Sequence, residues 1–206
     1  MIALTFTNVK GVHKKFICPS SAPFKERGNS MYSGTNKTAL RSQQNLADAL
    51  QRLMMEKPYQ SISVSELCRE ADVSRQTYYT LFQSKENIIS YTLNKKCPYE
   101  PEENEDTLWQ ICHSYRYYLE EHADILCVLV ENDLIDLLYD EFYNGLMACE
   151  HFMPGKSEEY RSYVSDFIAG GYTSIARSYV RMGAKTTSEM LDEIIYGLFS
   201  GEILLH

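Results

Sequence analysis

Three helix starts are crowded into residues 63–84, and this spacing constrains the fold more than any other feature of the chain. Ser63-Val64-Ser65-Glu66 has the form of a capping box: the Ser63 hydroxyl accepts from the amide three residues on, and Glu66 reaches back to the Ser63 amide. Val64, Leu67, Cys68 and Ala71 then make the apolar stripe of a helix about two turns long. It stops at Asp72-Val73-Ser74, where Asp72 tolerates a left-handed backbone better than most side chains. Ser74 is a strong N-cap for a second short helix, Arg75 to about Phe82, and Ser84 opens a third through Ile88 and Ile89. Ahead of them, Leu46, Ala49, Leu50, Leu53 and Met54 follow the i, i+3, i+4, i+7, i+8 pattern of one helix face between Leu40 and Met54, and Pro58 closes it. A longer bracing helix before two short helices joined by a three-residue turn is the layout of a helix-turn-helix. Val64, Leu67, Val73 and Phe82 supply its miniature core.

The second helix of that motif carries Arg75, Gln76, Thr77, Tyr79 and Thr80 on its free face. Arginine makes bidentate contacts to guanine and glutamine to adenine, and Thr77 suits a thymine methyl or a phosphate. Tyr79 and Lys85 suit backbone phosphates, as do the helix starts at Ser63, Ser74 and Ser84. Lys85 is a poor electrostatic choice in the first turn of a helix unless an anion sits there, which favours the phosphate reading.

Beyond Cys97-Pro98-Tyr99-Glu100-Pro101 and the charged stretch Glu102–Asp106, every segment reads as helix: Thr107–Glu121, His122–Val130, Asp133–Phe152, Glu158–Met182 and Thr187–Leu205. Pro154-Gly155-Lys156 and Gly183-Ala184 are turns, and no sustained two-residue alternation demands a sheet. The expected fold is therefore all-α: an N-terminal three-helix helix-turn-helix domain (residues 35–97) followed by a larger helical domain (98–206). Residues 1–34 lack helical period and read as a disordered basic tail. Met31 stands just upstream of the first helical pattern, so a native start at Met31 is an expectation of the sequence.

Charge is strongly asymmetric. Residues 1–34 hold five basic residues against one acid, residues 35–98 nine against six, and residues 99–206 six against twenty-one, for a net −8. A basic N-terminal third can face a phosphate backbone while the acidic remainder points away. No stretch approaches the roughly 20 apolar residues of a membrane span, and Ile2–Val9 is too interrupted for a secretory signal. The six cysteines (18, 68, 97, 112, 127, 149) form no paired motif and read as free thiols of a reducing cytoplasm. His113, His122, His151, Cys112 and Cys149 tempt one toward a metal or nucleophile site. No pair has zincin spacing and no glycine-rich phosphate loop appears, so no catalytic residue, metal or cofactor is expected.

Residues Ser61–Ile88, S-I-S-V-S-E-L-C-R-E-A-D-V-S-R-Q-T-Y-Y-T-L-F-Q-S-K-E-N-I, closely resemble the DNA-binding signature of the TetR family. Val64, Leu67, Ala71, Val73, Ser74, Thr77, Tyr79, Phe82, Ser84, Lys85 and Glu86 carry the match. Pro58 and Asp72 depart from it, standing where most members have glycine, and Gln76 stands where many have a small residue. The resemblance covers about residues 40–95. It implies a ligand-responsive transcriptional regulator, a repressor by expectation, that binds a palindromic operator in double-stranded DNA. It also implies a homodimer through the two C-terminal helices and a small-molecule effector inside the C-terminal domain. There Trp109, Tyr115, Tyr118, Phe142 and Phe167, with Leu138 and Met147, are the candidate lining. Gly170-Gly171 and Gly197 with Gly201 fit either close helix approach or a kink. Asp72, an acid beside the DNA face, leaves open a second reading: a scaffold that regulates through a partner protein without touching DNA.

Overall fold

The computed structural model describes residues 32, 34–94, 107–149 and 152–201. All of the basic tail except Tyr32 and Gly34, the 97/98 boundary, Cys97, His151 and the last residues of the chain lie outside them, Cys18 and Met31 among the tail residues. The described residues are all-helical and contain no strand: α1 (Lys37–Glu56), α2 (Val64–Glu70), α3 (Arg75–Leu81), α4 (Lys85–Leu93), α5 (Thr107–Glu121), α6 (Ala123–Glu131), α7 (Asp136–Ala148), α8 (Glu158–Arg181) and α9 (Ser188–Ser200). A single 3-10 turn, Tyr59–Ser61, links α1 to α2.

Helix ends follow local chemistry. α1 begins three residues before the apolar period because the Asn36 side chain accepts from the amides of Thr38 and Ala39. The stretch expected as one helix from Asp133 to Phe152 starts later, at Asp136. Asp133 adopts φ 56°, and the Leu134 amide donates back to the Leu129 carbonyl at 2.8 Å. That bond closes α6 as a Schellman motif and turns the chain before α7 can begin. The same device ends α2: Asp72 has φ 52°, and the Val73 amide donates to the Cys68 carbonyl at 2.9 Å. It ends α8 again at Gly183, φ 73°.

α1 packs on α2, α3 and α4 and also on α6, α4 rests on α7, and α7 and α8 form the most extensive helix pair. One continuous apolar core runs through all of these, from Leu46 and Leu67 to Leu138, Tyr172 and Ile195. Polar contacts tie the two units together. The Tyr59 amide donates to Asn132 Oδ1 at 2.8 Å, Asn94 Nδ2 to Glu141 Oε2 at 2.6 Å, and the Tyr118 hydroxyl to the Leu93 carbonyl at 3.2 Å. Between α5 and α9, buried Arg116 holds Asp192 at 3.0 Å and Glu120 at 2.6 Å. Pairing of this kind is what lets a guanidinium sit inside a protein.

Burial pushes the phenols of Tyr59, Tyr78 and Tyr115 well above their ordinary value. A folded-state pKa above the unfolded one contributes stability that is intact below the unfolded value, about 10, and lost as pH rises toward the folded value. The melting temperature should therefore fall as the pH is raised past about 10. The ultraviolet phenolate absorbance of these tyrosines should appear together with the loss of helical circular dichroism. Full ionisation of all tyrosines ahead of unfolding would contradict the burial described.

Candidate nucleic-acid interface

Each of the three short helices is started by the hydroxyl expected of it. Ser63 Oγ accepts from the Glu66 amide at 3.2 Å, Ser74 Oγ from the Thr77 amide at 3.0 Å, and Ser84 Oγ from the Asn87 amide at 3.2 Å. The returning half of the capping box is not used: the Glu66 carboxylate pairs with Lys57 instead, which also holds its pKa below the usual range. Asn87 turns back to donate to the Phe82 carbonyl at 2.5 Å, so α4 is latched to the end of α3.

α3 is two-sided. Tyr78 and Leu81 are buried, with Phe82 beneath its end. Arg75, Gln76, Tyr79 and Thr80 are exposed and Thr77 is half-buried. Tyr79 keeps 54 % of its surface in water while its ring meets the edge of Tyr78 at 5.0 Å. The Thr80 hydroxyl donates to the Gln76 carbonyl at 2.8 Å, and the Ser74 and Thr77 hydroxyls pair at 2.8 Å. Arg75 does not extend freely: its guanidinium donates to Ser65 Oγ on α2. Ser65 was not singled out by sequence reasoning, because only the packing of α2 beside α3 brings it to Arg75.

Lys85 is placed differently from the other candidates. Its ammonium donates to the carbonyls of Tyr59 at 2.9 Å and Ile62 at 2.8 Å and lies 4.0 Å from the centroid of the Tyr59 ring. Burial lowers its pKa, with Glu86 opposing. Protein carbonyls thus answer the electrostatic mismatch of a cation at a helix start, and one of the three N–H donors is left over for an anion. On the other flank, the Tyr32 amide donates to the Leu81 carbonyl at 3.2 Å. Gln43, only 1 % exposed, donates to the Tyr32 carbonyl at 3.0 Å. This brings the start of α1, with exposed Lys37 and Arg41, beside the end of α3. Neither cation was picked out from the sequence, where they look like ordinary solvated charges.

In the C-terminal unit, Tyr115, Tyr118 and Phe142 are brought together and fully buried. Tyr115 stacks on Tyr172 at 4.0 Å, and Phe142 meets Tyr118 edge-on at 5.4 Å. The rings fill one another's space. Trp109 packs on Tyr196 at 5.1 Å and His113 at 4.6 Å, outside this cluster. Phe167 does not join it: the side chain is 69 % exposed on the outer face of α8. An open cavity of about 380 Å³ lies instead where α1, the 3-10 turn and the α6–α7 turn meet, lined by Met54, Met55, Lys57, Tyr59, Glu131 and Asp133. Among the described residues, no group of three or more His, Cys, Asp or Glu side chains is placed to hold a metal ion, and no helix is long and apolar enough to cross a membrane.

Residues 46–92 match the family model of bacterial regulatory proteins of the tetR family. Over this segment the N-terminal unit is similar to the TetR family. The match takes in most of α1, all of α2 and α3, and nearly all of α4. The HTH-type dhaKLM operon transcriptional activator DhaS of Lactococcus lactis subsp. lactis (strain IL1403) is 36 % identical over 55 residues, 27 % of this chain and 29 % of that protein. The matched segment therefore spans less than a third of that relative. A solved structure of a dihydroxyacetone kinase operon activator DhaS is 21 % identical and superposes with a TM-score of 0.48, covering 80 % of this chain and 97 % of that one.

The left-handed turn between α2 and α3 is open to direct test. Glycine occupies positive φ without a Cβ penalty, whereas a β-branched side chain is strained there. Asp72→Gly should leave the melting temperature unchanged or raise stability by up to about 1 kcal/mol, and Asp72→Val should lower it by about 1–3 kcal/mol. The reverse order in thermal melts would refute the turn.

Proposed function

We propose that the chain is a ligand-responsive transcription regulator that binds double-stranded DNA as a homodimer, with Ser63, Ser74, Arg75, Gln76, Thr77, Tyr79, Thr80 and Lys85 as the contact surface. The observation that carries this reading is the division of α3. Its apolar side is consumed by the core, while Arg75, Gln76, Tyr79 and Thr80 form a projecting polar face on a TetR-family unit. Two such helices, one from each protomer, would occupy successive major grooves about 34–36 Å apart and read a palindrome. Lys37 and Arg41 flank that face and suit phosphates. The protein would act in the cytoplasm, where that DNA is.

The effector reading rests on the buried aromatic cluster of Tyr115, Tyr118 and Phe142. A small molecule entering there must displace rings already in contact, and such movement reaches α4 directly through the Tyr118 hydroxyl on the Leu93 carbonyl. Coupling of about 1–3 kcal/mol would make a useful switch. A repressor is the expectation from sequence; the relatives named above are activators, and that sign is the alternative for this chain. Asp72 is exposed at the turn before α3, which keeps the partner-binding scaffold as the contrasting reading.

The decisive experiment mixes the purified protein with sheared DNA from its own source at moderate salt, and sequences what is retained. A two-fold symmetric motif should emerge, and Arg75→Ala and Tyr79→Ala should each abolish its enrichment while leaving the melting curve intact. Affinity for the recovered site should fall steeply as salt is raised, because phosphate neutralisation releases counterions. Recovery of nothing above background by a folded dimer would overturn the DNA reading in favour of the scaffold.

A further inference from the structure

The open cavity of about 380 Å³ lies at the joint of the two units, and its volume falls in the roughly 300–1,000 Å³ range of small-molecule sites. Two helix ends meet around it. Met54, Met55 and Glu56 close α1, Glu131 closes α6, and Asn132 and Asp133 follow. The carbonyl end of a helix carries the negative pole of its macrodipole, so both backbones bring partial negative charge here. Glu56, Glu131 and Asp133 add to it. All three are exposed, and among the described residues none of these carboxylates has an ion-pair partner. The cation of the lining, Lys57, is engaged by Glu66 of α2. Lys85, over the Tyr59 ring, is held by the carbonyls of Tyr59 and Ile62. The cavity is therefore net acidic, and its own cation does not neutralise it.

The rest of the lining selects the kind of cation. Met54, Met55 and Pro58 supply an apolar stretch, with Met55 70 % exposed, and unbranched thioethers adapt readily to an alkyl chain. The carboxylates do not converge on one point: among the described residues, no group of three or more His, Cys, Asp or Glu side chains is placed to hold a metal ion. Separated carboxylates beside methionines suit charges spaced along a hydrocarbon chain. We propose that this cavity binds an aliphatic amine carrying two or more ammonium groups, which pair with Glu56, Glu131 and Asp133 while its methylenes lie on Met54 and Met55. Tyr59 and Asn132 also line the cavity, and the Tyr59 amide bonded to Asn132 Oδ1 at 2.8 Å ties the 3-10 turn to α6. A ligand here touches both units at once, so its occupancy holds the N-terminal unit in place on the larger one. The site is separate from the aromatic cluster, since Tyr115, Tyr118 and Phe142 do not line it.

Isothermal titration calorimetry of the full chain with spermidine, at fixed ionic strength, tests the site. One equivalent should bind per chain, and the melting temperature should rise with spermidine concentration. Glu131→Gln combined with Asp133→Asn should weaken binding by about tenfold or more, the loss of at least one charged hydrogen bond. Asparagine accepts the positive φ of 56° at position 133, and without spermidine this variant should melt with the parent. Glu158→Gln combined with Glu159→Gln removes the same charge from exposed positions on α8 that do not line the cavity, and should bind spermidine as the parent does. Magnesium ion at matched ionic strength should not displace it. No binding at millimolar spermidine, equal binding by the cavity variant and the parent, equal losses in the two variants, or displacement by magnesium would each overturn the site. The titration contains no DNA, so its outcome is independent of whether the chain enriches an operator.

Discussion

Burial of one face of α1 is the constraint on which the rest of the molecule depends. α2 and α3 are seven residues each, well below the roughly 12–15 residues at which an isolated helix becomes even marginal in water. Their caps satisfy the first amides but cannot supply the missing driving force. That comes from Leu46, Ala49, Leu50 and Leu53, which are almost wholly buried and gather α2, α3 and α4 around a single stripe. The same helix touches α6 on its other flank. α1 therefore builds the small unit and mounts it on the large one in a single act of burial. This is also why the α3 face can be polar: nothing on its exposed side is needed for stability.

The mounting is specific as well as apolar. Asn132, at the end of α6, receives the Tyr59 amide and at 2.9 Å donates to the Val128 carbonyl. The Tyr59 carbonyl in turn receives Lys85, and the Tyr59 hydroxyl donates to Glu86. Four elements, α6, the 3-10 turn, α4 and through Asn87 the end of α3, are thus joined by directed hydrogen bonds. Burial of the participating groups makes an unpaired partner costly. A shift of α6 relative to the N-terminal unit has to move α4 or break this chain of bonds.

Lys85 illustrates how a correct local observation can be resolved in two ways. A lysine in the first turn of a helix is electrostatically misplaced, and the sequence offers phosphate as the remedy. The fold offers another: the carbonyls of Tyr59 and Ile62 lie within hydrogen-bond reach because the 3-10 turn folds over the start of α4. Ser65 is the converse case. Nothing in its sequence context distinguishes it from any exposed serine, and only the approach of α2 to α3 makes it the partner of Arg75. Phe167 falls on an apolar period that the sequence alone assigns to the interior, yet its side chain is 69 % exposed. Helix α8 carries apolar residues around much of its circumference, so periodicity alone could not say which of them face inward.

What the sequence determined by itself is what depends on neighbours in the chain. Hydroxyls at positions 63, 74 and 84 start helices by bonding amides three residues on, Asp72 tolerates a left-handed turn, and the spacing of Leu46 to Met54 defines a buried stripe. These interactions span a few residues, so a linear reading captures them, and the resemblance of 61–88 to the TetR signature is legible for the same reason. The tertiary structure alone decided the rest. Which way α8 presents its aromatics, that Arg75 leans on Ser65, that Tyr32 lies against the end of α3 and that Lys85 turns inward are all settled by contacts between segments remote in sequence. Such contacts depend on how helices cross and how far they slide, and neither quantity is written in the period of any one of them.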